Sequence, residues 1–225
     1  LAFDFFRALF YYEGFLDYDR KFALVPKNLM GIYRDFIEKY PIVQGIVSST
    51  LKFLCALVNE KNRSAEAKHS ITYAQVDRMI QDGIKITIDN YNSILDKIKE
   101  EWVSEFIALI LKLIALALKS TLLIGNRIDW PFYYKTLLFI LQTIDRPIIT
   151  CNRRARKYMV TAVVAVCEDH FIEFNTSSPG QVSVLTKALY DGVKNDLGDL
   201  SLKGVFGLIR QKVYETEDFE DFISS

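Results

Sequence analysis

Apolar residues recur at intervals of three and four along most of this chain, a spacing typical of amphipathic helices. The segment from Ile71 to Glu100 shows it most clearly, because charged side chains fall between its apolar positions. We therefore predict a long helix with one buried and one solvated face. Ser70 or Thr72 is placed to cap its start. Its apolar positions are Tyr73, Val76, Ile80, Ile84, Tyr91, Ile94, Leu95 and Ile98.

Prolines and capping residues delimit the other predicted helices. The residue before a proline resists the α conformation, whereas proline itself fits the first turn of a helix. Asn152 is the predicted cap of the helix that follows it. Asp129 is the predicted cap of a helix that has Pro131 in its first turn and runs to Ile144. The other helices run from Lys27 to Lys39, from Ile42 to Val58, from Asn152 to about Phe174, and around Val182 to Asn195 and Leu202 to Tyr214.

The fold class that follows is all-α. No segment alternates between apolar and polar residues with a period of two, so we predict no sheet. No motif repeats at a fixed period, which argues against a regular solenoid. We predict an irregular bundle of roughly eight to ten helices, forming a single domain over residues 1–225.

Residues 102–124 are the most apolar stretch, and we predict a long apolar central helix there. Glu105, Lys112 and Lys119 are seven residues apart and form one narrow polar stripe. In a bundle, this stripe would touch water. The alternative is a helix in a bilayer, since roughly 20 residues cross the hydrocarbon core. Lys112 would then lie near the middle, at a cost of roughly 2.5 to 3.5 kcal/mol.

Residues 1–24 are rich in aromatic side chains. A helix that is apolar nearly all round requires more partners than one bundle face supplies, and aromatic residues are common at interfaces. We predict a contact with a partner protein or a membrane surface here, with a plain core helix as the alternative. The candidate partner-binding residues are Phe5, Phe6, Phe10, Tyr11, Tyr12 and Phe15.

A basic cluster opens the helix after Asn152, with Arg153, Arg154, Arg156 and Lys157. The helix dipole disfavours positive charge at this end, so the cluster conflicts mildly with its own helix. Such conflicts sometimes mark function. Phosphate, anionic lipid or an acidic partner would suit the cluster, and a solvated helix end is the alternative.

Residues 215–225 form an acidic C-terminal tail in which acidic and aromatic residues are interspersed. Two interpretations remain open. The tail is a short docking peptide for a basic, apolar groove, or a frayed terminus that keeps the protein soluble.

Charge and cysteine content narrow the classes of partner. The 28 basic and 28 acidic residues balance, so no overall field attracts nucleic acid. Only Tyr158 lies within reach of the basic cluster as a stacking residue, so we do not expect a nucleic-acid partner. Three cysteines do not suggest a disulfide scaffold. We expect an intracellular protein, with an organelle membrane as the alternative location.

Signatures of catalysis are absent from the sequence. The chain has no glycine-rich phosphate loop, no Gly-x-Ser-x-Gly elbow and no His-Glu-x-x-His motif. A zinc site needs four protein ligands, or three and a water, and only Cys151, Cys167 and His170 lie close in sequence, so we do not expect one. We expect His170 on a helix surface. We therefore predict no enzyme, and no catalytic, cofactor-binding or metal-binding residues.

One spacing pattern resembles that of a family of organelle membrane proteins. It consists of Tyr40-Pro41 with the apolar run after it, then Trp130-Pro131, then Pro147 ahead of the basic cluster. The resemblance implies helices embedded in a membrane. However, the family's second membrane segment falls here on Asp77 to Lys97, which is strongly charged.

Two functional hypotheses follow. The first is a non-enzymatic helical binding or assembly subunit that acts through contacts with other protein subunits. The alternative is a small organelle membrane protein anchored by apolar helices near residues 42–58 and 102–124.

Overall fold

The computed structural model describes residues 2–12, 18–40, 44–59, 70–94, 100–120, 128–143 and 152–211, and every regular element in these ranges is an α-helix. The chain forms two compact units, Leu1–Asp129 and Trp130–Ser225, and each is described by itself. The single-domain assignment stays a prediction. The eleven helices are α1 (Ala2–Tyr11), α2 (Tyr18–Ala23), α3 (Leu29–Lys39), α4 (Gln44–Val58), α5 (Ser70–Ile94), α6 (Glu100–Leu118), α7 (Trp130–Thr143), α8 (Arg153–Asp169), α9 (Phe171–Ser177), α10 (Val182–Val193) and α11 (Gly198–Arg210).

The all-α prediction is confirmed, but the described residues contain more helices than the eight to ten expected. The aromatic N-terminal segment contains two helices, and the helix predicted from Asn152 to Phe174 is interrupted at His170. Neither proline nor glycine marks that interruption in the sequence. The last helix begins at Gly198 rather than at Leu202. Residues 42–43, 95–99, 121–124, 144 and 212–214, which belong to predicted helices, lie outside the described residues.

The first unit is organised around α4, which packs against α1, α5 and α6. Six of the seven residues from 52 to 58 in α4 are buried. Because seven residues make two helical turns, this part of the helix buries nearly all of its circumference. The structure does not confirm the predicted central position of the 102–124 helix, because α4 and not α6 packs against three other helices. Helix α3 packs against α5 in the same unit.

The polar stripe of α6 begins at its contact with α4. Glu105 accepts hydrogen bonds from Gln44 Nε2 (3.0 Å) and Ser48 Oγ (3.1 Å), and its carboxylate lies 3.6 Å from Lys52 Nζ. Further along the stripe, Lys112 is half-buried and Lys119 is exposed. The three charges thus lie in different environments, and the first one holds two helices together.

The second unit is organised around α8, which packs against α9, α10 and α11. All six residues from Ala162 to Cys167 are fully buried. Helix α11 approaches α8 so closely that a Cβ atom at Gly207 would lie 2.8 Å from the Cys167 carbonyl oxygen. The predicted cap is confirmed, since the Asn152 side chain accepts hydrogen bonds from the backbone N–H groups of Arg154 (2.9 Å) and Ala155 (3.1 Å).

Candidate interaction surfaces

The inner face of α1 is an aromatic contact with α4. Phe3, Phe6 and Phe10 all pack around the fully buried ring of Phe53, with ring centroids 6.0, 6.1 and 6.2 Å away. Phe3 also meets the buried Tyr33 edge-on at 5.9 Å. Aromatic pairs at such distances contribute about 0.5–1.5 kcal/mol beyond the area that they bury. This contact therefore fixes which side of α1 faces the first unit.

Polar contacts hold α1 and the chain after it in the same orientation. Ser49 Oγ in α4 donates to the Asp4 carboxylate, at 3.2 and 3.3 Å from its two oxygens. Tyr18 OH donates to the Leu57 carbonyl at 2.8 Å, and the buried Lys21 donates to the carbonyl of Tyr12. The helix is thus tied to its unit near both ends.

The outer face of α1 is apolar and uncovered. Phe5 is 63% exposed and Tyr12 is 66% exposed, while Ala8 is exposed and Leu9 half-buried between them. These positions are three and four residues apart. Tyr12 directly follows α1 and still donates its N–H to the Ala8 carbonyl at 3.0 Å, so all four lie on one side of the helix. We call Phe5, Ala8, Leu9 and Tyr12 the outer face of α1. Large apolar side chains gathered on a surface are typical of interaction sites.

The candidate residues of the N-terminal segment divide between these two faces. Phe5, Tyr11 and Tyr12 are exposed, and Phe6 is half-buried between Phe5 and Phe53. Phe10 is only 1% exposed, because its ring fills the space between Tyr18 and Phe53, so in this fold it is a core residue. Phe15 lies outside the described residues.

Sequence reasoning missed Ala8 and Leu9, although both follow Phe5 at the helical interval. Their identity gave no signal, since alanine and leucine are ordinary helix residues. The spacing from Phe5 to Tyr12 was the only available indication that they share a face with two aromatic residues.

The basic cluster at the start of α8 is mostly exposed. Arg153, Arg154 and Lys157 are exposed, whereas Arg156 is half-buried and donates from Nη1 to Asn195 Oδ1 at 3.2 Å. The Asn152 side chain already accepts from two of the backbone N–H groups at this helix end. An anionic partner would therefore meet three side-chain cations rather than a free helix terminus.

The structure corrects the expected position of His170, which is buried rather than on a helix surface. Its ring lies 4.6 Å from Trp130, and its Nδ1 atom lies 3.1 Å from the hydroxyl of Tyr134. Burial, with a smaller contribution from Glu173, raises the pKa of Tyr134, so this hydroxyl stays protonated. The histidine is a core residue where α8 gives way to α9.

The described cysteines do not have the environment of reactive thiols. Burial raises the pKa of both Cys55 and Cys167 to about 12, and the nearby Lys112 only partly offsets the effect at Cys55. The thiolate is the nucleophile and the metal ligand, so both side chains behave as small apolar groups. Cys151 lies outside the described residues.

The described part of the chain contains no group of three or more His, Cys, Asp or Glu side chains placed to hold a metal ion. Within it, no helix combines the length and apolar character that a bilayer crossing requires.

Comparisons of this chain with protein-family models, with curated proteins and with solved structures found no match.

Proposed function

We propose that this protein is a non-enzymatic helical binding or assembly subunit that contacts another protein through the outer face of α1. The observation that carries the proposal is the division of α1 into two apolar faces. One packs on Phe53, while the other leaves Phe5 and Tyr12 about two-thirds exposed. An apolar helix face exposed to water in this way is stabilised when a partner covers it.

A protein partner suits the chemistry of this face. Tyrosine and phenylalanine are enriched at the cores of protein interfaces, where they bury large areas with few rotatable bonds. The charged residues of α1 do not interrupt the face, because Asp4 bonds to Ser49 and lies 3.9 Å from Arg7. The partner that fits is a protein with its own apolar helix face, and we expect Phe5 and Tyr12 to make the largest contributions.

Photo-crosslinking tests this proposal. A photoreactive phenylalanine analogue is placed at Phe5 or Tyr12 in the full chain, and at Ile172 as a control in the second unit that is 68% exposed. We expect a discrete adduct with one protein, or with a second copy, at the first two positions only. Equal labelling at all three positions, or none at any, would contradict the proposal.

We also propose that exposed cations of the basic cluster contact an acidic surface. Arg153, Arg154 and Lys157 supply the charge, whereas Arg156 is bonded to Asn195. Such a contact would weaken as salt is raised, since exposed charges are screened beyond about 8 Å at physiological ionic strength. Binding through the outer face of α1 would not show this dependence.

For α6 we propose the role of a long apolar core helix over Glu100–Leu118. Glu105 supports this role by its bonds to α4, and the half-buried Lys112 occupies the same stripe. The membrane alternative is tested by comparing wild type with Lys112→Leu, because removing a central charge improves insertion by about 2.5–3.5 kcal/mol. The core-helix proposal expects both proteins in the aqueous fraction. Recovery of wild type in membranes after alkaline washing would contradict it.

A further inference from the structure

A groove of about 390 Å³ opens on the first unit beside α2, α3 and α5. Met30, Met79 and Val25 are the buried part of its lining, which we call the floor. Lys27 and Arg78 are exposed and belong to its rim. The volume is at the lower end of the roughly 300–1,000 Å³ of typical ligand pockets. The groove therefore has room for one small organic molecule.

The floor of the groove favours an aromatic ring. Methionine is flexible and polarisable, adapts to the shape of a bound group and makes favourable contacts between its sulfur and aromatic rings. Met30 supplies such a side chain from α3, and Met79 supplies another from α5. Gly31 keeps the space above them open, because a Cβ atom added there would meet nothing within 4 Å.

The rim of the groove favours a single carboxylate. Lys27 and Arg78 are exposed, and neither forms an ion pair with another residue that the structure describes. An arginine can hold a carboxylate through two parallel hydrogen bonds. Asp82 also lines the groove, so the charged lining has two cations and one carboxylate. Its net charge is positive by one, and a second carboxylate on the ligand would be repelled by Asp82.

We propose that the groove binds a small aromatic monocarboxylate, with its ring on the two methionines and its carboxylate at Lys27 and Arg78. A ligand of this class is complementary to the floor through its apolar ring and to the rim through its charge. The lining includes no residue of α1. The site is therefore separate from the outer face of α1, and the proposal does not depend on the function of that face.

The three methionines of the chain provide the measurement. Met30 and Met79 line the groove, whereas Met159 is buried in the second unit and serves as an internal control. The full chain carrying ¹³C-methyl methionine is titrated with phenylpropionate, for which we expect a Kd on the order of 1 mM. The ring current of the bound ligand should shift the methyl signals of Met30 and Met79 and leave that of Met159 unchanged.

Two analogues separate the contribution of the charge from that of the ring. Phenylpropionamide keeps the ring but has no charge, so it should bind about two- to thirtyfold more weakly through the loss of two exposed charge contacts. Cyclohexylpropionate keeps the carboxylate but has no aromatic ring. It should bind about two- to tenfold more weakly, because it loses the contact between sulfur and ring. Competition with phenylpropionate measures both.

Two pairs of variants locate the binding. Lys27→Gln/Arg78→Gln should weaken phenylpropionate by the same two- to thirtyfold factor, about the product of two exposed charge contacts. Arg34→Gln/Lys85→Gln is the matched control, because it removes exposed cations from α3 and α5 that do not line the groove.

A substitution at Gly31 tests the space itself. Gly31→Leu should block the groove and abolish the shifts of the two lining methionines. Gly45→Leu should not, although a Cβ atom at that glycine also meets nothing within 4 Å. Both glycines lie in helices of the first unit, so the pair controls for the effect of a larger side chain on helix stability.

The proposal is overturned if phenylpropionate shifts neither Met30 nor Met79, or shifts Met159 as much as these two. It is also overturned if phenylpropionamide or cyclohexylpropionate binds as tightly as phenylpropionate, because the charge or the ring would then not be recognised. Full affinity in Lys27→Gln/Arg78→Gln, or in Gly31→Leu, would place the ligand elsewhere. Loss of crosslinking at the outer face of α1 would leave each of these results unchanged.

Discussion

The two units of this protein differ in how completely they bury their large apolar side chains. In the second unit, Tyr134, Phe174 and His170 form a buried cluster with their rings in contact, and its tyrosine hydroxyl has a partner. In the first unit, aromatic side chains cover both faces of α1, and only one face is buried. The exposed large apolar residues among those described are Phe5, Tyr11, Tyr12, Leu24, Ile32 and Tyr40 in the first unit, and Ile172, Val193 and Phe206 in the second.

This difference supports the outer face of α1 as the proposed binding surface. All six exposed residues of the first unit fall between Phe5 and Tyr40, the region that α1, α2 and α3 occupy. Single exposed apolar residues are normal on any protein, but residues that share one helix face carry more information. The outer face of α1 meets that criterion.

The largest predicted effect separates the two faces of α1. Phe10→Ala should lower the free energy of unfolding by about 3–5 kcal/mol, because it leaves a cavity beside Phe53. Phe5→Ala should cost no more than about 1.5 kcal/mol, the value of its edge contact with Phe6. Urea denaturation of the two variants measures the difference. Equal losses would mean that α1 has no uncovered face.

Substituting one glycine in each unit tests how closely its neighbours pack against it. Gly207→Ala should destabilise the second unit by about 1–3 kcal/mol, because its methyl group would meet the backbone of Cys167. Gly31→Ala should stabilise α3 by about 0.5–1 kcal/mol, because the position is helical and open. Thermal unfolding of both variants checks the signs, and destabilisation by Gly31→Ala would show that this surface is covered.

Each unit has one buried thiol among the described residues, and these thiols predict that the stability of the fold depends on pH. Cys55 and Cys167 have pKa values of about 12 in the folded protein, against 9.0 for a cysteine outside the folded environment. Between pH 9 and 12 the unfolded thiols lose their protons while the folded ones keep them. Stability should therefore fall as pH rises through this range. Both thiols should resist an alkylating reagent at pH 8, as peptide mapping would show; rapid labelling of either would contradict its burial.

The smallest effects concern the basic cluster. Arg153→Gln/Arg154→Gln should change stability by less than about 0.5 kcal/mol, since exposed charges contribute little to folding. Arg156→Gln should cost about 0.5–1.5 kcal/mol, because it removes the bond to Asn195. The same urea denaturation assay distinguishes them. A large loss in the double variant would make the cluster structural and remove the case for a partner there.

Local patterns predicted much of the fold. The Asn152 cap and the boundary at Lys39 were accessible because capping and proline act on neighbouring residues. The boundary at Val58 was accessible because a polar stretch follows it. The break at His170 was not, since it has no local marker and depends on contacts with Trp130 and Tyr134. Tertiary packing decided that position.

The sequence singled out the aromatic N-terminal segment but not the division of its residues between two faces. Aromatic density in residues 1–24 indicated an unusual helix, yet it could not show that Phe10 is buried and Tyr12 exposed, because both stripes of α1 are aromatic. The position of Phe53 on α4 decides which stripe is covered.

The most direct test of the outer face of α1 is the mass of the purified chain in solution without detergent. Sedimentation velocity would compare wild type, Phe5→Gln/Tyr12→Gln and the second-unit control Ile172→Gln over a range of concentrations. We predict that wild type and the control associate above the chain mass of 26.0 kDa as concentration rises, whereas the double variant stays near that mass. Association of the double variant to the same extent as wild type would contradict the account, because association would then not depend on the outer face of α1.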